Sequence, residues 1–212
     1  MTRLILVRHG ESLYNLEKRY TGQTDVPLTE KGRQQAQLTA DYVLSNYCVG
    51  AVYSSDLCRA VDTARPVAEA LSLDIKTDPR LREIYAGEWQ GILFTEVKEK
   101  FKEDYELYRK DKNTGRTTGG ESMLDVRDRV YAAIKDIVAE NDGKTVFVAT
   151  HNGALMAMQA PICNIDINDV KSTSNNSVTE LIYEDGSFRI VKFDYTEHLG
   201  GLVTSFKSKS HN

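Results

Sequence analysis

Apolar positions in this chain fall into two kinds of run. Leu4-Ile5-Leu6-Val7 and Val146-Phe147-Val148-Ala149 are continuous and short. Unbroken apolar runs of that length fit strands buried on both faces. Elsewhere the apolar residues recur at helical spacing. Behind Thr29, an N-cap residue type, Ala36, Thr39 or Ala40, and Val43 share one face of a helix reaching about Leu44. Leu57, Ala60, Val61, Ala64, Ala68 and Leu71 mark a second helix, with Ser55 and Asp56 available as caps and Pro66 expected to kink or interrupt it. Val126, Val130, Ala133, Ile134 and Ile137 mark another, capped by Ser122, carrying Asp125 in its first turn and stopped by Asn141-Asp142-Gly143.

The remaining elements are shorter. Ala51 to Ser54 and Ile75 to Thr77 read as minor strands. Ser177 to Tyr183 and Phe188 to Tyr195 flank Asp185-Gly186, a strong hairpin signal. Phe94 to Tyr108 reads as one amphipathic helix with Phe94, Val97, Phe101 and Tyr105 or Tyr108 on one side, a stripe that serves a core more often than a ligand. Ala154 to Ile162 reads as a short helix ending near Pro161. Strand and helix alternate for most of the length. The expectation is a three-layer α/β/α sandwich with a mostly parallel central sheet and a C-terminal hairpin, a single domain over residues 1–212. Residues 92–120 are expected as a substrate-covering insertion and residues 207–212 as a frayed tail.

Composition narrows the class. The chain has 212 residues, 41% of them hydrophobic and 27% charged, as in ordinary soluble proteins. A formal net charge of −4 argues against a broad nucleic-acid face but not against a small basic pocket. No run approaches a membrane span, and the first apolar run is too short for a signal peptide. Cys48, Cys58 and Cys163 have neither metal-type spacing nor an even-numbered disulfide pattern, so a reduced, cytoplasmic setting is expected. No apolar seam is identifiable, so the sequence assigns no oligomeric state.

The chemistry lies at the ends of the two continuous runs. The first runs into Arg8-His9-Gly10 and the second into His151-Asn152-Gly153. In open α/β sheets ligands bind beyond the carboxyl ends of strands. Two histidines delivered at equivalent strand ends, with Arg8 beside one and Arg59 at a helix start, point to an anionic ligand; arginine fits phosphate oxygens bidentately. A cation in a first helical turn opposes the helix dipole, and anion binding supplies a reason for it. The plain alternative is a surface Arg59 paired with Asp56 or Asp62. A metal site is disfavoured: His-Glu-x-x-His and a paired-carboxylate set are both missing, and neighbouring arginines repel a cation. The loop from Tyr14 to Leu28 is long enough to be functional. The basic stretch Arg109, Lys110, Lys112 and Arg116 is most simply a solvated loop, with substrate binding as the alternative.

Six ordered segments resemble the histidine phosphatase superfamily, the phosphoglycerate-mutase-like enzymes. They are LVRHGES followed by Asn15, TGQTDVPLTEKG from Thr21, SSDLCRAVDTA from Ser54, LREIYAGEWQG from Leu81, GGES from Gly119 and VATHNGAL from Val148. The resemblance implies that His9 is the nucleophile that becomes phosphohistidine. It implies that Arg8, Arg59 and His151 hold the phosphoryl oxygens and that Glu83 donates the proton, and it places Asn15, Thr21 and Gly22 against phosphate or substrate. The plain alternative for Glu83 is an ion pair with Arg82 or Arg80. Asp62 stands where relatives often carry Gln. Asn152 stands where they often carry Gly, which implies either an added side-chain donor beside the phosphate or altered substrate access. No cofactor is implied.

The resemblance leaves two reactions open. The segment between Glu83 and His151 is short compared with mutase relatives, which favours a metal-independent phosphomonoesterase acting on a small-molecule phosphate ester. The TGQTDVPLTEKG stretch is close to the mutase pattern, so a cofactor-dependent phosphoglycerate mutase is the alternative. An inactive phosphate-binding module is the alternative of another class, against which the intact Arg8, His9, Arg59, Glu83 and His151 weigh.

Overall fold

The structure is a computed structural model and describes residues 1–204; the tail expected to fray, 207–212, lies outside the described residues. The centre is a six-stranded sheet ordered β3-β2-β4-β1-β5-β6. The strands are β1 (Thr2–Arg8), β2 (Val49–Ser54), β3 (Ile75–Thr77), β4 (Thr145–Thr150), β5 (Val178–Glu184) and β6 (Ser187–Tyr195). β1 to β4 are mutually parallel, while the β5–β6 hairpin joins antiparallel to β1. Its turn uses Asp185 and Gly186, both at positive φ, as a two-residue hairpin turn demands.

The helices are α1 (Leu13–Leu16), α2 (Glu30–Asn46), α3 (Cys58–Leu71), α4 (Phe94–Lys100), α5 (Lys102–Lys110), α6 (Met123–Glu140) and α7 (Asn152–Cys163). Side chains alternate across β1 and β4 and so feed two cores. Ile5, Val7, Phe147 and Ala149 pack with Ala40, Val43, Ala60, Ala64 and Val67 of α2 and α3. Leu4, Leu6, Val146 and Val148 pack with Val126, Val130, Ile134, Leu155 and Met158 of α6 and α7. The α/β/α layering and the terminal hairpin are therefore as the alternation of elements indicates. No helix among the described residues is long and apolar enough to cross a membrane. The three cysteines are free thiols.

Local differences have physical causes. α2 starts as expected, with Thr29 accepting from the Gly32 N–H. α3 does not use Asp56 as its cap. Asp25, from the loop after Thr21, accepts the Cys58 N–H at 2.8 Å, and Asp56 instead pairs with Arg82. α3 runs through Pro66 because Ala64, Val67 and Ala68 are buried around it; packing of that face outweighs the local cost of about 3 kcal/mol. α7 likewise includes Pro161. The helix expected over Phe94–Tyr108 breaks at Phe101, at φ −128 and ψ 46. The break lets Phe101, Tyr105 and Tyr108 all turn onto the fully buried Trp89, with ring centroids 6.2, 6.0 and 5.6 Å away. α6 begins at Ser122 with a complete capping box to Asp125.

Candidate active site

The parallel pairing of β1 and β4 keeps register to its last residues, Val7 with Ala149 and Arg8 with Thr150. The next residue of each strand is a histidine, so the register places His9 beside His151. Their ring centroids are 5.1 Å apart, and the His9 N–H donates to Thr150 O at 2.9 Å. His9 is 3% exposed and His151 is wholly buried.

Two neighbours fix the His9 tautomer. Nδ1 lies 2.7 Å from Gly10 O, which only accepts, so Nδ1 carries the hydrogen. Arg59 Nε donates to Nε2 at 3.3 Å, which requires the Nε2 lone pair to be free of a proton. Burial first, then the Arg59 and Arg8 charges, hold the His9 pKa well below its ordinary value. His151 is depressed in the same way, by burial and then by Arg59. Neither of its ring nitrogens has a hydrogen-bond partner among the described residues. A buried polar group of that kind costs stability, and binding sites are where such a cost is kept.

Arg59 is wholly buried, and among the described residues its hydrogen bonds go to His9 and two backbone carbonyls rather than to a carboxylate. Its Nη1 donates to Thr24 O and its Nη2 to Gly22 O, each at 2.8 Å. The pairing with Asp56 or Asp62 does not occur, because Asp56 holds Arg82 and Asp62 holds Arg65 on the surface. Arg8 is 5% exposed, with Nη1 donating to Thr173 O. Burial pulls both arginines down to about 10, so both remain cations at neutral pH.

Glu83 approaches from the loop after β3. Its Oε1 accepts from the N–H groups of Ile84 at 2.9 Å and Gly153 at 2.8 Å, the second at the first turn of α7, where the backbone favours negative charge. A Cβ at position 153 would lie 2.2 Å from Oε1, so only glycine admits this approach. Neither Arg80 nor Arg82 pairs with Glu83: Arg80 holds Asp78 and Asp136, and Arg82 holds Asp56.

A pocket of about 220 Å³ joins these groups. Arg8, His9, Asn15, Thr21, Gly22, Glu83 and Asn152 line it; Arg59 and His151 are covered but touch His9 directly. Asn15 Oδ1 accepts from Ser12 N and Asn175 Nδ2, leaving its amide NH2 as a donor. Asn152 spends its oxygen on Thr173 and Ser172, which leaves Nδ2 against Met156 Sδ. The outer wall is apolar, with Tyr20, Phe94, Tyr108, Met123 and Met156. Tyr108 and Phe94 thus serve both the Trp89 cluster's segment and the pocket.

The basic 109–116 stretch does not line this pocket. Arg109 lies over the Tyr105 ring, Lys112 reaches Asn168 O, and Arg116 pairs with Asp125. The pocket's additional cation is Arg19, which the sequence did not single out; it is held by Gly91 O and Glu17 and its Nη2 bonds to nothing among the described residues. Also missed was the polar run 172–177. Asn175 and Asn176 are wholly buried there, Asn175 donating to His9 O at 3.0 Å and Asn176 N–H to Arg8 O at 3.0 Å. An uncharged polar run just before a hairpin was the available signal.

The model of the histidine phosphatase superfamily (branch 1) matches residues 4–196. The chain belongs to that superfamily, and it is a histidine phosphatase, an enzyme of the phosphoric monoester hydrolase class. It is 35% identical to phosphoserine phosphatase 1 of Hydrogenobacter thermophilus, covering 94% of this chain and 95% of that protein. It is 34% identical to a 2,3-bisphosphoglycerate-dependent phosphoglycerate mutase of Gloeobacter violaceus, covering 89% of each. Among solved structures, that of mycobacterial glucosyl-3-phosphoglycerate phosphatase with VO3 superposes with a TM-score of 0.83 at 30% identity, covering 92% of this chain and 99% of that one.

Proposed function

We propose that this chain hydrolyses small phosphate monoesters through a phosphohistidine on His9, without a metal ion. The observation that carries the reading is the double constraint on His9. Gly10 O holds the hydrogen on Nδ1, and Arg59 meets the Nε2 lone pair in the pocket that also holds Glu83.

In the first displacement Nε2 attacks phosphorus and the P–O bond to the alcohol breaks. Protonated Glu83 gives its proton to the departing alkoxide. The imidazolium formed keeps its Nδ1–H on Gly10 O. Arg8, Arg59 and His151 stabilise the equatorial oxygens, with Asn15 and the Thr21–Gly22 and Asn152 region at the edges of the phosphoryl group. In the second displacement water attacks phosphorus, the P–N bond breaks, Glu83 takes the water's proton, and inorganic phosphate leaves. The α4–α5 segment, through Phe94 and Tyr108, covers the alcohol portion of the substrate.

The pocket supports a compact alcohol with carbon against Tyr20, Tyr108 and Met123 and an anionic group toward Arg19. Phosphorylated small carboxylic acids fit this description, and the names of the phosphoserine phosphatase and phosphoglycerate mutase relatives agree with it. The mutase reading requires cations for a second phosphate; Arg19 is present for an anionic group, but Arg109, Lys110, Lys112 and Arg116 do not line the pocket to add to it. The test is rapid quenching into alkaline detergent during turnover of a radiolabelled phosphate ester. An alkali-stable, acid-labile phosphoprotein is expected, lost in His9→Ala, with turnover unchanged by chelator. Conversion of 3- to 2-phosphoglycerate dependent on a bisphosphoglycerate would overturn hydrolysis as the reaction; phosphate binding without turnover would make the chain a binding module.

A further inference from the structure

The proposed mechanism leaves unused a semi-buried ion pair that lies against the Glu83 loop. Arg129 on α6 and Glu121 just before it are 18% and 21% exposed and meet at 2.8 Å. A guanidinium carries five N–H donors, and Arg129 makes five hydrogen bonds. Nε and one Nη2 hydrogen go to the two oxygens of Glu121. Nη1 donates to Arg80 O at 2.8 Å and to Arg82 O at 2.7 Å, and Nη2 also donates to Glu83 O at 2.8 Å. Glu121 completes the frame from the other side: Oε2 accepts the Tyr85 N–H at 2.7 Å and its own N–H donates to Tyr85 O at 2.8 Å.

These bonds have a common target. The segment between Leu81 and Gly87 belongs to no helix or strand, so regular secondary structure does not hold residue 83. The loop instead wraps three carbonyls around one cation. Glu83 is then presented with Oε1 fixed on Ile84 N and Gly153 N, while Oε2 has no partner among the described residues. A loop without its own ladder and one carboxylate oxygen aimed by main-chain contacts make a setting in which a small displacement spoils proton transfer.

We infer that Arg129, braced by Glu121, is a positioning residue for Glu83: it holds the loop carbonyls so that the carboxyl group meets the leaving oxygen. The inference rests on Glu83 being the proton donor. Lysine cannot replace it, because a point-charge ammonium has three donors and no planar fork to span three carbonyls and a carboxylate.

The leaving group separates this role from a general structural one. An activated aryl ester such as p-nitrophenyl phosphate departs without protonation, whereas an alkyl phosphate needs the acid. A purely electrostatic effect of Arg129 on the nearby His151 weakens both esters alike. The experiment compares kcat/KM for the two esters in the wild type, Glu83→Gln, Arg129→Met, Arg129→Lys and Glu83→Gln/Arg129→Met, with inhibition by inorganic phosphate as the check on a folded phosphoryl site. Expected for Arg129→Met is a loss on the alkyl ester at least about tenfold larger than on the aryl ester, with phosphate inhibition changed by less than about threefold. Arg129→Lys behaves alike, and in the Glu83→Gln background the added loss disappears. If Arg129→Met is not recovered folded, Glu121→Gln gives the same comparison with Arg129 retained. Equal losses on the two esters, or full additivity with Glu83→Gln, overturn the inference while leaving Glu83 as the acid. Glu83→Gln without any leaving-group preference removes the Glu83 assignment and this inference with it.

Discussion

His9 and His151 face each other at 5.1 Å because they follow residues paired in register on adjacent parallel strands. Burial first, and then the Arg59 charge, hold the pKa of each well below its ordinary value. Under the proposed mechanism the pair offers a neutral nucleophile and a neutral donor in a cationic surround, an arrangement that suits a dianionic ester and repels a proton.

The first expectation concerns pH. With its folded-state pKa depressed, His9 stays neutral below 6.5, its ordinary value, so the acid limb of kcat/KM that it sets lies below that pH. Arg59 is the largest cause after burial, so Arg59→Met moves that limb upward, read from a pH–rate profile with an aryl phosphate. Stability follows the same sign. The unfolded chain takes protons on both histidines near pH 6.5 while the folded one does not. Their contribution is thus full above that pH and is lost below it, by up to about 1.4 kcal/mol per pH unit for each group. Urea midpoints at pH 7.5, 6.0 and 5.0 measure the slope.

His151→Leu separates activity from stability. The imidazole makes no hydrogen bond to protein groups among the described residues, so an apolar side chain removes a desolvation cost rather than a protein contact. The expected outcome is a fall in kcat/KM of roughly 10²–10³-fold, as for loss of one transition-state donor, with a melting temperature that does not fall. It also flattens the acid slope of stability described above.

Gly153→Ala tests the seat of Glu83. The added Cβ meets Oε1 at 2.2 Å, so the carboxylate must leave the Gly153 N–H. A stability loss of about 1–3 kcal/mol is expected from the forced shift. Activity on alkyl phosphates should drop more than on aryl phosphates. Equal activity of the variant on both esters, with wild-type rates, would show that Oε1 has no need of this seat.

Arg19→Gln tests the substrate class. The ratio of kcat/KM for a carboxylated phosphate ester to that for a neutral alkyl phosphate should fall about tenfold, which corresponds to about 1.4 kcal/mol of charge-assisted binding. An unchanged ratio would place the anionic group of the substrate elsewhere.

Much of this site is readable along the chain because its anchors are local. Leu4–Val7 and Val146–Ala149 announce buried strands, the residues after them announce the chemistry, and Thr29 and Ser122 announce their helices by cap spacing. The contacts that escape such reading join distant segments. Asp25 caps a helix thirty-three positions later, Arg129 grips carbonyls more than forty positions earlier, and Asn175 reaches back to His9. Hydropathy carries no trace of a backbone carbonyl as a partner, so nothing along the chain singled out Arg129. The break at Phe101 was hidden for a related reason: the aromatic spacing suits a straight helix, and the packing of Phe101, Tyr105 and Tyr108 on Trp89 that accompanies the bend joins distant segments.

That Trp89 is the chain's one tryptophan, and Tyr20 and Tyr108, both in the pocket wall, stand edge-on to its indole at 5.3 and 5.6 Å. Its Nε1–H is held by Thr118 Oγ1 at 3.0 Å. A ligand that shifts either tyrosine alters the surroundings of the sole indole fluorophore. The enzyme thus carries a built-in optical reporter of pocket occupancy, readable without label or coupled assay.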